Sequence, residues 1–184
     1  MALKSTVYKA ELSIADMDRG YYRDHALTLA RHPSENDERL MVRLLAFALN
    51  AHDALSFGNG LASNDEPDLW RKDLTGRIEQ WIDVGQPDER LVRKACGRAD
   101  TVLVVSFGRS ARQWWTRSEP TLAQIDNLTV LHLPDEVPAA MARLAQRNMR
   151  LQCTIQDRQA WLGDGTGETV AVEPLVWKAA RPGR

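Results

Sequence analysis

The sequence predicts an α/β (α+β) protein: a mixed β-sheet flanked by helices, with extra antiparallel strands, in a single domain covering residues 1–184. Three observations point there. Two-residue alternation marks the beginning and end of the chain, and an i, i+4, i+7 apolar pattern follows the opening. Between them, short apolar runs take turns with amphipathic stretches. At 43% apolar and 27% charged residues, the composition is that of a globular domain long enough to bury a core.

Tyr8, Ala10, Leu12 and Ile14 share one face, with Lys9, Glu11 and Ser13 on the other, which describes a half-buried strand. Asp18-Arg19-Gly20 turns the chain into His25–Arg31, where Leu27 and Leu29 alternate; read as a strand, this stretch completes an opening hairpin. Pro33 cannot sit inside a helix, and Ser34 is a good N-cap whose hydroxyl can accept from the amide of Asp37. Leu40, Leu44 and Phe47 then mark an amphipathic helix from Glu35 to His52. The short segment ALSFG is ended by Gly58 and Gly60.

Arg77–Val84 is rich in β-formers (Ile78, Trp81, Ile82, Val84) and reads as a strand closed by Gly85. Pro87-Asp88-Glu89 starts a helix carrying Leu91, Val92 and Ala95. Thr101–Phe107 is a continuous apolar run, the pattern of a strand buried on both faces. Ser110–Arg117 reads as a helix, Leu128–Leu133 as a strand and Asp135–Arg147 as a helix, a succession that implies at least one βαβ crossover and a partly parallel sheet. Met149, Leu151, Cys153 and Ile155 alternate, Ala160–Leu162 can pair back, and Asp164-Gly165 turns into Val170–Val176. Two or three antiparallel strands are expected there.

Composition excludes several classes. No apolar run is long enough to span a membrane, and the opening residues lack the charged-then-apolar stretch of a secretion signal, so a cytoplasmic protein with no membrane partner is expected. Cys96 and Cys153 stand in no metal-like spacing, which argues against a disulfide scaffold or a zinc ribbon. The 24 Lys+Arg and 25 Asp+Glu nearly cancel, so the chain is not globally basic. The charges are nevertheless sorted. Asp65, Glu66, Asp68, Asp73, Glu79, Asp83, Asp88 and Glu89 face only Arg71, Lys72 and Arg77 between residues 64 and 89, a balance of −5. Arg90, Arg93, Lys94, Arg98, Arg109, Arg112 and Arg117 then face only Asp100, a balance of +6, with Phe107, Trp114 and Trp115 interleaved.

Guanidinium groups neutralise phosphates, aromatic faces stack on unpaired bases, and clustered carboxylates suit Mg²⁺ or Mn²⁺. Acids for a metal beside cations for a backbone is the layout of metal-assisted phosphodiester cleavage. The same charges also fit solvated helix faces joined by surface ion pairs, and of two adjacent tryptophans only one need be buried.

Three acidic positions stand out. Glu35 falls in the first turn of its helix, where the dipole alone favours a carboxylate. Asp65-Glu66-Pro67-Asp68 places three carboxylates around a proline, either a rigid ligand-bearing corner, an N-cap or an acidic loop. Asp83, set among Trp81, Ile82 and Val84, must be paired, protonated or metal-bound unless its strand lies at an edge facing water. His25, His32, His52 and His132 show no zinc-protease pairing and are expected to be structural or exposed. No Walker A, Rossmann or Gly-x-Ser-x-Gly pattern occurs. Arg93 and Lys94 just before Cys96 could lower its pKa, although a buried, inert thiol is the commoner outcome.

The segments ALKSTVYKAELSIADMDRGYY, LTLARHPSENDERLMVRLLAFAL, LSFGNGL, DEPDLW, WIDVGQPDER and LQCTIQD together resemble the YaeQ family of bacterial proteins, from Ala2 to about Trp177. The resemblance implies a variant of the PD-(D/E)XK (restriction endonuclease-like) nuclease fold. Glu35 then matches the helix acid, the Asp65-Glu66-Pro67-Asp68 corner supplies the first metal ligand, and Asp83 matches the second acid, with Asp65, Glu66 and Asp83 as ligands to Mg²⁺ or Mn²⁺. The pattern departs at the lysine, because Asp83-Val84 is followed by Gly85; Lys94 on the next helix is the available substitute for placing the water. Arg90, Arg93, Arg98, Arg109 and Arg112 would hold a nucleic-acid backbone. The alternative is a non-catalytic interaction module that keeps the scaffold with a degenerate site.

Overall fold

The computed structural model describes residues 4–183; Met1–Leu3, part of the opening read above for a secretion signal, and Arg184 lie outside the described residues. In chain order the first elements are β1 (Thr6–Asp16), β2 (Tyr21–Arg31), α1 (Asp37–Leu49), β3 (Leu55–Phe57), β4 (Leu69–Lys72), β5 (Ile78–Val84) and α2 (Glu89–Arg98). They are followed by β6 (Ala99–Ser106), α3 (Ala111–Leu122), β7 (Leu128–His132), α4 (Glu136–Ala142), β8 (Asn148–Gln156), β9 (Gln159–Gly163), β10 (Thr169–Val172) and β11 (Leu175–Lys178). The chain gathers into two compact units: one runs up to Leu49 and resumes over Glu136–Pro174, the other takes Asn50–Asp135 and the residues from Leu175 onward. Each unit has its own mixed sheet, so the single mixed sheet expected from the sequence is in fact two.

In the first unit the strand order is β10-β9-β8-β1-β2. β1 and β2 form the expected hairpin, in register from Thr6 opposite Arg31 to Asp16 opposite Tyr21, and β1 runs parallel to β8 on its other side. The alternation read from the sequence is realised: Ala10, Leu12, Ile14, Leu151, Cys153 and Ile155 are all buried. Several boundaries differ from expectation: β2 begins at Tyr21 where His25 was expected, and α1 ends at Leu49 where His52 was expected. α1 begins at Asp37, capped by Asn36, whose Oδ1 accepts from the Arg39 amide at 2.9 Å, while the Ser34 hydroxyl bonds the His32 ring instead. Glu35 therefore precedes the helix and is not in its first turn. Leu40–Ala48 are all buried, so α1 is covered all round and not merely amphipathic. α4 ends at Ala142, short of Arg147, because the chain tightens into three-residue turns (Leu144 amide to Met141 carbonyl, 2.9 Å).

In the second unit the order is β11-β7-β6-β5-β4-β3, with β5, β6 and β7 parallel and the flanking strands antiparallel. The two crossovers, through α2 and α3, advance in one direction along the sheet, and right-handed connections of that kind put both helices on one face. Trp81, Val92, Ala95, Val102, Val104, Trp114, Trp115 and Val130 pack there as one cluster. Ile82, Leu103 and Val105, pointing the other way, are buried too, as the continuous apolar run of β6 foretold. α3 runs five residues past its expected end at Arg117, to Leu122. The expected stretch Val170–Val176 is divided at Glu173-Pro174: β10 stays with β9, while β11 pairs with β7 in the second unit's sheet.

Candidate functional site

The carboxyl ends of β5, β6 and β7 gather the chemistry-bearing residues of the second unit. Parallel strands end there in loops that lead into helix N-termini, the place where α/β sheets ordinarily present ligand groups. Asp83 is the last residue but one of β5. Because Leu69 pairs with Ile82, Asp68, just before β4, falls one step further along the antiparallel ladder, opposite Asp83. Asp68 is 3% exposed and its Oδ2 accepts from the Val84 amide at 2.8 Å. The Gly58–Pro67 loop closes over it. A Cβ at Gly60 would stand 2.4 Å from Asp68 Oδ1, and one at Gly58 would stand 2.3 Å from the Pro67 carbonyl oxygen, so both positions need glycine for close approach. Asp83 Oδ2 accepts from Trp81 Nε1 at 2.9 Å, so this acid, set among apolar neighbours, is paired.

The other acids of the corner face elsewhere. Glu66 Oε2 accepts from the Asn59 amide (3.0 Å) and side chain (2.8 Å). Asp65 is exposed and receives Lys94 Nζ at 2.6 Å, and that ammonium holds its carboxyl below the ordinary range. Arg98 donates to the Asp65 carbonyl at 3.2 Å and lies 5.3 Å over the Trp81 ring. Lys94 and Arg98 thus tie the acidic loop to α2. Glu35 belongs to the first unit, where Arg43 donates to both of its oxygens at 2.7 Å and Arg39 to one at 3.0 Å. The structure therefore brings Asp68 beside Asp83 and Asp65 beside Lys94. Among the described residues, no three His, Cys, Asp or Glu side chains are grouped as a metal site.

The cations separate into two sets. Arg71 pairs with Glu79 and Arg77 with Asp100, so part of the acidic segment is neutralised locally. Arg90, Arg93, Arg109, Arg112 and Arg117 are exposed and make no carboxylate pair among the described residues. Arg109, Arg112, Gln113, Thr116 and Arg117 line an open depression of about 580 Å³ on α3. Gln113 and Thr116 carried no signal as isolated residues; their spacing from Arg112 and Arg117 on one helix was the available clue.

One expectation is corrected, and two others meet the plainer reading of the sequence, a buried thiol and a structural histidine. Trp114 and Trp115 are both buried, so neither offers an open face to a base. Cys96 is pushed up to about 11, chiefly by burial, which together with the Asp83 carboxylate outweighs the Lys178 ammonium; burial also raises Cys153, to about 12. His132 is buried: it stacks on Trp177 at 4.1 Å and meets Ser106 Oγ at 3.1 Å, and burial lowers its pKa. Lys178, which the sequence did not single out, is buried and donates to the carbonyls of Ile125 (2.6 Å) and Leu128 (2.8 Å).

Residues 1–174 match the family model described as YaeQ protein. The chain is 48% identical to YaeQ of Salmonella typhi over 97% of its length and 98% of that protein's. It is 47% identical to YaeQ of Escherichia coli K12 over 89% and 91% of the respective chains. The crystal structure of YaeQ from Xanthomonas axonopodis pv. citri superposes with a TM-score of 0.90 at 50% identity, covering 95% of this chain and 99% of that one. That of YaeQ from Pseudomonas syringae superposes with a TM-score of 0.91 at 34% identity, covering 97% and 98%. No helix among the described residues is long and apolar enough to cross a membrane. With nearly its whole length matched in sequence and in fold, this chain belongs to the YaeQ family.

Proposed function

We propose that this protein is a nucleic-acid-binding module on a PD-(D/E)XK-like scaffold, working in the cytoplasm. One observation carries the reading: five exposed arginines, two on α2, one in the turn before α3 and two on α3, stand without carboxylate partners among the described residues, in a chain whose net charge is only −1. Most other cations of the second unit are engaged by acids or carbonyls, so an unpaired set of this size is a surface prepared for an external polyanion. Fluorescence anisotropy with labelled DNA and RNA tests it. Replacing Arg90, Arg93, Arg109, Arg112 and Arg117 together by Gln is expected to weaken binding at low salt by about 100-fold or more. Wild-type protein that binds neither nucleic acid, or a five-fold variant that binds as well as wild type, overturns the reading.

A second reading, metal-dependent phosphodiester hydrolysis, is favoured by the placement of Asp68 opposite Asp83 on adjoining strands. The donor set as arranged does not fit a resident Mg²⁺ or Mn²⁺: Asp65 is held by Lys94, Glu66 by Asn59, and the Oδ2 atoms of Asp68 and Asp83 accept from Val84 and Trp81. Lys94, the candidate for placing a water, is neutralised in the same pairing. Melting with and without Mn²⁺ separates the readings. The binding module predicts no metal-dependent rise in Tm and no cleavage; a rise abolished by Asp83→Asn, together with Mn²⁺-dependent cleavage, establishes the hydrolase.

A further inference from the structure

Residues 112, 113, 116 and 117 recur at helical spacing, so α3 presents Arg112, Gln113, Thr116 and Arg117 along one solvent-facing stripe. Arg109 extends that stripe from the turn before the helix, where Gly108 takes φ +87 and frees the chain from β6. The opposite side of α3 is apolar and closed. Trp114 donates its indole N–H to the Pro87 carbonyl at 2.8 Å, and Trp115 stacks on Trp177 at 6.2 Å between centroids. Trp114 and Trp115 are therefore turned into the core, Phe107 before the helix is half-buried, and among the described residues no ring lines the depression beside Arg109, Arg112 and Arg117.

We propose that this face of α3 holds the phosphate backbone of double-stranded nucleic acid and reads no bases. The proposal rests on the nucleic-acid reading given above and narrows it. Single strands are ordinarily gripped by stacking unpaired bases on exposed aromatic rings, and among the described residues no ring lines this depression. What remains is charge, and a duplex offers more of it: one phosphate per roughly 1.7 Å of axis, against one per roughly 3.4 Å for either strand alone. The first turn of α3, which contains Arg112 and follows Arg109, adds to the attraction, because the Ser110 side chain makes no capping bond to it.

The test is fluorescence anisotropy in EDTA, so that no metal-dependent step intervenes, with a mixed-sequence DNA duplex, a second duplex of shuffled sequence and the isolated strands. Wild type is expected to bind both duplexes equally and about tenfold more tightly than either strand. Arg112→Gln/Arg117→Gln is expected to lose tenfold or more in duplex affinity, and its slope of log affinity against log salt should shrink by about 2. Arg109→Gln/Arg117→Gln serves as an independent variant. Arg143→Gln, whose arginine is exposed in the first unit and pairs with Glu168, should bind like wild type. Tighter binding to single strands, discrimination between the two duplexes, or full affinity in both double variants overturns the proposal while leaving nucleic-acid binding in place. So does an equal loss in Arg143→Gln, which would mean that net charge alone is at work. Binding to neither duplex nor strand overturns both.

Discussion

Glu35 and Asp68 are both buried carboxylates, at 4% and 3% exposure, and each is held by a different device. Asp68 accepts a backbone amide beneath a glycine loop, whereas Glu35 takes two guanidinium groups, one of them the buried Arg43. Removing one partner of a buried pair leaves the other charge without compensation. Glu35→Ala is therefore expected to lower stability by about 3–5 kcal/mol in urea unfolding; a loss below about 1 kcal/mol would show that the pair does not hold the fold. His132 gives a pH test. Burial lowers its pKa below 6.5; Arg112 pushes in the same direction and Asp135 against it. The folded protein thus takes up the proton less readily than the unfolded chain, and the stability linked to this ring is complete above 6.5 and lost as pH falls through 6.5 towards the folded value. Wild type should lose stability between about pH 7 and pH 5, and His132→Asn should lose less over the same window. An identical fall in both proteins would assign the effect to another group.

At the scale of elements, local pattern was legible wherever it was long. β1, the His25–Arg31 part of β2, the apolar run of β6 and the start of α2 at Pro87-Asp88-Glu89 were all readable, because each depends on neighbours in sequence. β4 has four residues with two adjacent cations, too short for a period to show, yet it carries the register that brings Asp68 to Asp83. Trp115 packs on Trp177, more than sixty residues away, and Trp114 bonds the Pro87 carbonyl before α2, so the burial of both could not be read from α3 alone. The candidate acids were legible as residues, but their grouping was not. Asp65 turned to Lys94 and Glu66 to Asn59 through a loop whose course is set by Gly58 and Gly60. That loop can be tested directly. Gly60→Ala forces a Cβ against Asp68 Oδ1 at a backbone φ of +41, and should lower stability by about 1–3 kcal/mol while loosening the Asp65–Lys94 contact. A Gly60→Ala protein as stable as wild type would show that the close approach to Asp68 is not needed.

At the scale of the whole molecule, a net charge of −1 conceals the sorting of charge along the second unit. The sequence showed the basic segment from Arg90 to Arg117 but not which of its members were already engaged. Lys94 and Arg98 are engaged at the surface by Asp65 and Trp81, and the five arginines without carboxylate partners among the described residues make up the proposed polyanion surface. The measurement that bears most directly on that claim is the salt dependence of wild-type binding to a DNA duplex. Each phosphate neutralised contributes about −0.9 to the slope of log affinity against log salt. Three to five engaged arginines therefore predict a slope between about −2.7 and −4.5. A slope near zero, or no binding at low salt, would contradict the account.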